Sequence, residues 1–138
     1  SIISNAGLTL YEVGTIKDIP DIRKYVCIDG GMTDNPRYAL YNAEYDIINA
    51  SRADMPKKEL VTIAGKCCES GDIIAKDIYI QHPERGDILS VLCTGAYNYS
   101  MSSNYNRIAK PAVLLINEKE EKIIVRRQTL DDVITNDI

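Results

Sequence analysis

The apolar residues of this chain arrive in short runs, broken roughly every ten residues by glycine, proline, asparagine and aspartate. That rhythm is the signature of short strands joined by turns. Isoleucine fills the runs, with twenty residues in a chain of 138. Its branched β-carbon favours the extended backbone. Nine tyrosines stand against no phenylalanine and no tryptophan. The core is therefore expected to be aliphatic, and any tyrosine inside it needs a partner for its hydroxyl. The longest runs are short, such as Ala112 to Ile116, well under the roughly 20 apolar residues of a membrane-spanning helix.

Followed along the chain, residues 2–12 read as a helix, with Ile2, Ile3, Ala6, Leu8 and Leu10 apolar. Residues 12–19 and 24–29 read as strands on either side of the Pro20-Asp21 turn, which predicts a hairpin. Residues 29–36 are too polar and too glycine-rich for either periodic structure. Pro36 suits the first turn of a short helix capped by Asn35 or Asp34. Arg37 and Tyr41, four apart on that helix, would share a face. Further strands are expected over 45–50, 60–64, 73–80 and 88–93, with an irregular segment over 94–101. A hairpin joins 111–116 to 122–127, and Thr129 with Asp132 opens a last helix as a capping box. The sum is mainly β with short helices, as a β-barrel or sandwich.

Sixteen lysines and arginines against twenty acidic residues leave a net charge of -4 with no basic block. A nucleic-acid duplex is therefore disfavoured as the main partner. The opening Ser1-Ile2-Ile3-Ser4-Asn5 lacks the features of a secretory signal. Cysteines 27, 67, 68 and 93 have no C-x-x-C spacing, and the single histidine is His82, so no metal site is expected. Free thiols in a reducing cytoplasm are the plain reading. The chain lacks an initiating methionine, and the expectation is a processed chain or a piece of a longer one.

Three loops are dense in polar chemistry. Arg37 offers a planar fork for carboxylate or phosphate, or is a surface arginine. Cys68 beside Glu69 could supply a proton next to a charge, or be an inert buried thiol. Tyr97 could meet a ligand, or pack in the core. Lys66, His82 and the run from Glu118 to Lys122 read as solvated side chains. No phosphate loop of Walker or Rossmann type occurs. Residue types alone stop at a β-rich domain with candidate ligand loops.

Longer motifs carry the reading further. They are Val26-Cys27-Ile28-Asp29-Gly30-Gly31-Met32-Thr33-Asp34-Asn35-Pro36-Arg37, Ala39-Leu40-Tyr41, Cys68-Glu69-Ser70-Gly71-Asp72 and Gly95-Ala96-Tyr97-Asn98-Tyr99-Ser100-Met101, continued by Asn104-Tyr105-Asn106-Arg107 and Pro111-Ala112-Val113. In this order they resemble the C-terminal part of the diaminopimelate decarboxylase family, pyridoxal-phosphate enzymes of the alanine racemase and ornithine decarboxylase type. Cys67, Tyr38 and Asn98 depart from the family's pattern, and none is a matched functional position.

The resemblance implies a Greek-key-like β-domain over residues 13–138, with residues 1–12 as the tail of a (β/α)8 barrel that this chain lacks. It implies conversion of meso-2,6-diaminopimelate to L-lysine and CO₂ with pyridoxal 5'-phosphate, whose Schiff-base lysine lies outside this chain. Cys68 matches the proton donor, and Glu69 the residue that holds the substrate's distal ammonium. Arg37 and Tyr41 match substrate contacts, Arg37 reading a carboxylate, and Tyr97 matches a contact to cofactor and substrate. The Cys-Glu loop of this family completes the partner subunit's active site, which implies a homodimer. A sibling decarboxylase of ornithine, arginine or a carboxylated polyamine is the near alternative, disfavoured because those relatives tend to carry Asp after the Cys. The 138 residues alone are expected to be inactive. A catalytically silent dimerisation or binding module is the alternative of a different class.

Overall fold

In the computed structural model, which describes residues 2–138, the first strand-forming run folds back on the second. Strand β1 (Thr9–Ile19) and strand β2 (Arg23–Ile28) pair antiparallel. They turn at Asp21, whose φ of 60° aspartate tolerates better than most residues. The amide of Ile22 closes the turn on the Ile19 carbonyl at 3.0 Å. This is the expected hairpin. Strands β3 (Ile47–Asn49), β4 (Glu59–Ala64), β5 (Ile73–Ile80) and β6 (Ile88–Val91) complete a six-stranded sheet in the order β3-β6-β1-β2-β4-β5. The two outer strands, β3 and β5, also touch, so the sheet curls into a nearly closed barrel. The mainly β architecture is as expected.

One pairing shapes the molecule's chemistry. β2 and β4 run parallel, with Val26 opposite Ile63, whereas the other neighbours are antiparallel. Parallel neighbours cannot be joined by a tight turn and need a long crossover. Residues 29–58 are that crossover. They carry the glycine-rich turn, helix α1 (Arg37–Tyr41) and strand β3.

The barrel interior is aliphatic. Val13, Val26, Ile47, Val61, Ile63, Ile74, Ile80, Leu89 and Val91 are at most 2% exposed. Burying each such side chain contributes about 1.5–3 kcal/mol. Tyr11 is the single aromatic among them, and its hydroxyl donates to the Asp34 carboxylate. Burial and the neighbouring Asp34 push the Tyr11 hydroxyl well above its ordinary pKa, and burial raises the Asp34 carboxyl as well.

Two expectations are corrected. No helix forms over 2–12. One 3-10 turn spans Ser4–Ala6, and β1 is already extended at Thr9. Leu8 and Leu10 face outward while Tyr11 and Val13 face in, so the two-residue period of the strand wins over the helical one. Helix α1 also has no side-chain cap, and Pro36 holds its cap position. The carboxylate of Asp34 is committed to Tyr11 and to the Gly31 amide, 3.0 Å away, and Asn35 is wholly buried.

Beyond the barrel, β7 (Val113–Ile116) and β8 (Glu121–Val125) form the second expected hairpin. It buries no side chain, and Leu114, Leu115, Ile116, Ile123 and Ile124 stay exposed. The capping box of Thr129 and Asp132 opens helix α3 (Leu130–Val133) as expected. No helix among the described residues is long and apolar enough to cross a membrane.

Candidate functional site

Arg37 sits at the start of α1, just past the turn that leaves the barrel, and is half-buried. Its guanidinium carbon lies 5.8 Å from the ring centroid of Tyr41, one helical turn on, and 5.1 Å from that of Tyr97. Both distances are within reach of a cation–π contact. No ion pair or hydrogen bond engages the guanidinium of Arg37 among the described residues, so its fork of donors is open.

Tyr97 reaches Arg37 through an unusual backbone. It immediately precedes helix α2 (Asn98–Met101) with a φ of 73°, and its side chain is 59% exposed. The segment before it is strapped down by the beginning of the chain. The Thr94 amide donates to the Gly7 carbonyl at 2.9 Å, and the Gly95 amide to the Ser4 carbonyl at 3.0 Å. The two backbones touch so closely that a Cβ on Gly7 would lie 2.5 Å from the Gly95 Cα. Behind the ring, buried Asn98 accepts from the Tyr45 hydroxyl at 3.3 Å.

Cys68 and Glu69 lie in the loop between β4 and β5, both exposed. The Cys68 amide donates to Asn106 Oδ1 at 3.0 Å, which leaves the thiol free. The Glu69 carboxylate accepts from the Gly71 amide at 3.1 Å and stands close enough to Tyr105 to raise that hydroxyl's pKa, after the larger effect of burial. The neighbouring Cys67 differs. Burial first, and the Asp72 carboxylate second, push its thiol up to about 11. A group held protonated so far above neutrality is a poor nucleophile and a reluctant acid.

The fold thus gathers Arg37, Tyr41 and Tyr97 into one group and presents Cys68 and Glu69 in another. No hydrogen bond, ion pair or ring contact joins the two groups among the described residues. Three residues beside the Cys68 loop received no role in the sequence reading: Asp72, Tyr105 and Asn106. All three lie inside motifs already quoted, but the contacts they make are not encoded in local spacing. No cluster of His, Cys, Asp or Glu among the described residues is placed to hold a metal ion.

The chain as a whole has counterparts in known proteins. The chain is 48% identical over 138 residues to the diaminopimelate decarboxylase of Bacillus subtilis (strain 168), across 100% of this chain and 31% of that protein. It is 52% identical over 138 residues to that of Staphylococcus aureus (strain COL), across 99% of this chain and 32% of that protein. A crystal structure of diaminopimelate decarboxylase from M. jannaschii in complex with L-lysine superposes with a TM-score of 0.92 at 40% identity, over 98% of this chain and 30% of that one. The chain therefore spans about a third of the length of these relatives. Residues 1–95 match the family described as "Pyridoxal-dependent decarboxylase, C-terminal sheet domain". With well over half of its length matched, the chain belongs to the family of C-terminal sheet domains of pyridoxal-dependent decarboxylases.

Proposed function

We propose that this domain is the C-terminal part of an enzyme that converts meso-2,6-diaminopimelate to L-lysine and CO₂. The observation that carries the reading is the open guanidinium of Arg37, half-buried against two tyrosine rings with no acid among the described residues to satisfy it. A substrate carboxylate fits that fork in a bidentate grip. Glu69, on the other group, would hold the substrate's distal ammonium. Glu69 rather than a shorter aspartate favours diaminopimelate over ornithine, arginine or a carboxylated polyamine. The names of the relatives and the L-lysine held by the M. jannaschii enzyme support the same substrate class.

Pyridoxal phosphate, when bound, supplies the electron sink for the pair left on the α-carbon as CO₂ departs. Of this chain's residues, Tyr97 would touch it. A ring that is more than half exposed, on a backbone held at positive φ, fits a contact made to a group seated outside the domain. The (β/α)8 barrel that holds the cofactor would precede the domain and lead into it ahead of β1, which already pairs with β6 from Thr9 onward. Cys68 would deliver the proton to the carbon that lost CO₂, since its thiol is exposed and its amide alone is tethered. The separation of the two groups supports a homodimer in which each Cys68–Glu69 loop completes the partner's site. A cytoplasmic enzyme follows from the same reading.

The test uses the full-length protein. It is expected to release CO₂ from meso-diaminopimelate far faster than from ornithine or arginine. Cys68→Ala should lower kcat by roughly 10²- to 10⁴-fold, the usual span for a general acid, and Glu69→Ala should act mainly on substrate binding. Unchanged turnover in both variants would remove these roles. The 138 residues alone, given pyridoxal phosphate, should be inactive, and activity there would refute the shared-site reading.

A further inference from the structure

Asp72 closes the Cys68–Glu69 loop, and it is the most deeply placed acid near either group at 2% exposed. Its two carboxylate oxygens do different things. Oδ2 accepts from the Cys67 amide at 2.7 Å, one residue before Cys68. Oδ1 accepts from the Met32 amide at 2.6 Å, in the turn that leads into Arg37. Charge-assisted bonds of this length are among the stronger ones in proteins. The surroundings are cut to fit the carboxylate. A Cβ on Gly65 would lie 2.2 Å from Oδ2, and one on Gly31 would lie 2.6 Å from both oxygens. Further bonds continue the bracket: Lys66 amide to Gly30 carbonyl at 3.0 Å, and the Asn35 amide to the Gly31 carbonyl at 2.9 Å. From Asn35 the chain runs through Pro36 directly into Arg37.

We infer that Asp72 is a positioning residue whose buried carboxylate locks the Cys68–Glu69 loop to the turn carrying Arg37, so that the two groups of one chain shift as a unit. This rests on the decarboxylase reading above and deepens it. If each chain lends Cys68 to its partner's site and keeps Arg37 for its own, the two groups locked by one Asp72 serve different active sites. The carboxylate then ties one active site of the dimer to the other. The Asp72 carboxylate is taken up by two backbone amides and lies beside the Cys67 thiol, so its effect is on where Cys68 and Arg37 stand.

Amide hydrogen exchange of the full-length protein, wild type against Asp72→Ala, reads the lock directly. Peptides covering 30–34 and 66–70 should both exchange at least tenfold faster in the variant, with the β1 and β6 peptides unchanged. In the same variant kcat on meso-diaminopimelate should fall 10- to 100-fold and KM should rise, because Cys68 and the binding residues Arg37 and Glu69 lose their places together. Faster exchange in 66–70 alone, or in neither segment, overturns the lock. Faster exchange in both with kcat unchanged overturns the positioning role. A wild type inactive on meso-diaminopimelate sinks the decarboxylase reading instead, and the exchange result still decides the lock. Should Asp72→Ala fail to fold, Gly65→Ala keeps the acid and displaces it, and the same paired rise in exchange is expected.

Discussion

Among the described residues Arg37 is held by two tyrosine rings and by no acceptor, whereas the Cys68–Glu69 loop is held through its backbone by a buried carboxylate and an asparagine side-chain amide. The first arrangement fixes a plane and leaves the donors open. A resident carboxylate on Arg37 would have to be displaced by any acidic ligand, and breaking such a charged bond costs about 1.5–3 kcal/mol. The second arrangement fixes the main chain and leaves one thiol free. A thiol left out of the scaffold's hydrogen bonds suits the proton-donor role proposed for Cys68. Under the proposed roles, the difference teaches that the recognition side chain is steadied by its faces, and the reactive one by its backbone.

The sharpest way to break this comparison is to ask whether the scaffold discriminates between two adjacent thiols. Burial first, and the Asp72 carboxylate beside it second, push the Cys67 thiol up to about 11. At pH 8 only about one molecule in a thousand carries its thiolate, some hundreds of times fewer than for an ordinary cysteine. Alkylation of full-length protein with iodoacetamide, followed by peptide mass spectrometry, should therefore mark Cys68 on the order of 10²-fold faster than Cys67. The sign is fixed by the direction of the shift: raising a thiol's pKa withholds the thiolate until higher pH. The Cys67 rate should climb about tenfold per unit from pH 8 to pH 10 without levelling. Equal rates at pH 8 would mean that burial and Asp72 together do not separate the two cysteines.

A smaller effect sharpens the other side. Arg37→Lys keeps the charge but loses the planar fork and much of its contact with the rings. Losing one charged hydrogen bond costs about 1.5–3 kcal/mol, so kcat/KM of the full-length enzyme should fall roughly 10- to 100-fold. A lysine that serves as well as arginine would show that the rings hold a charge and no particular geometry.

How far these features could be read from sequence follows their range along the chain. The short isoleucine-rich runs mark the strands because alternation is local, and both hairpins and the Thr129–Asp132 cap are contacts between near neighbours. The beginning of the chain misled for a local reason as well: Ile2, Ile3, Ala6, Leu8 and Leu10 satisfy a helical period until Tyr11 and Val13 settle the inward face. The parallel β2–β4 pair was not legible, because nothing in either strand specifies a partner beyond a thirty-residue crossover. The site divides in the same way. Arg37 and Tyr41 meet because they are four apart on a helix, which spacing alone predicts. Tyr97 meets Arg37 across sixty residues of sequence, in a segment strapped through Thr94 and Gly95 to Gly7 and Ser4, which spacing cannot reveal. Asp72 stood inside a quoted motif, yet its grip on Met32 is a tertiary fact.

The smallest expected effect tests the asparagine half of the backbone hold. Asn106 has a φ of 54° and Arg107 one of 58°, two consecutive left-handed residues that cost energy outside glycine and asparagine. The strain is maintained where the Asn106 side chain meets the Cys68 amide. An alanine at 106 would remove the acceptor and worsen the backbone at once, so its effect could not be apportioned. Asn106→Gly separates the two, because glycine adopts the left-handed conformation freely and offers no acceptor. A neutral hydrogen bond contributes about 0.5–1.5 kcal/mol, so kcat should fall roughly two- to tenfold in the full-length enzyme, with KM and melting temperature little changed. If Asn106→Gly matches wild type, the Cys68 backbone is held by Asp72 alone, and the left-handed pair at 106 and 107 serves only to turn the chain.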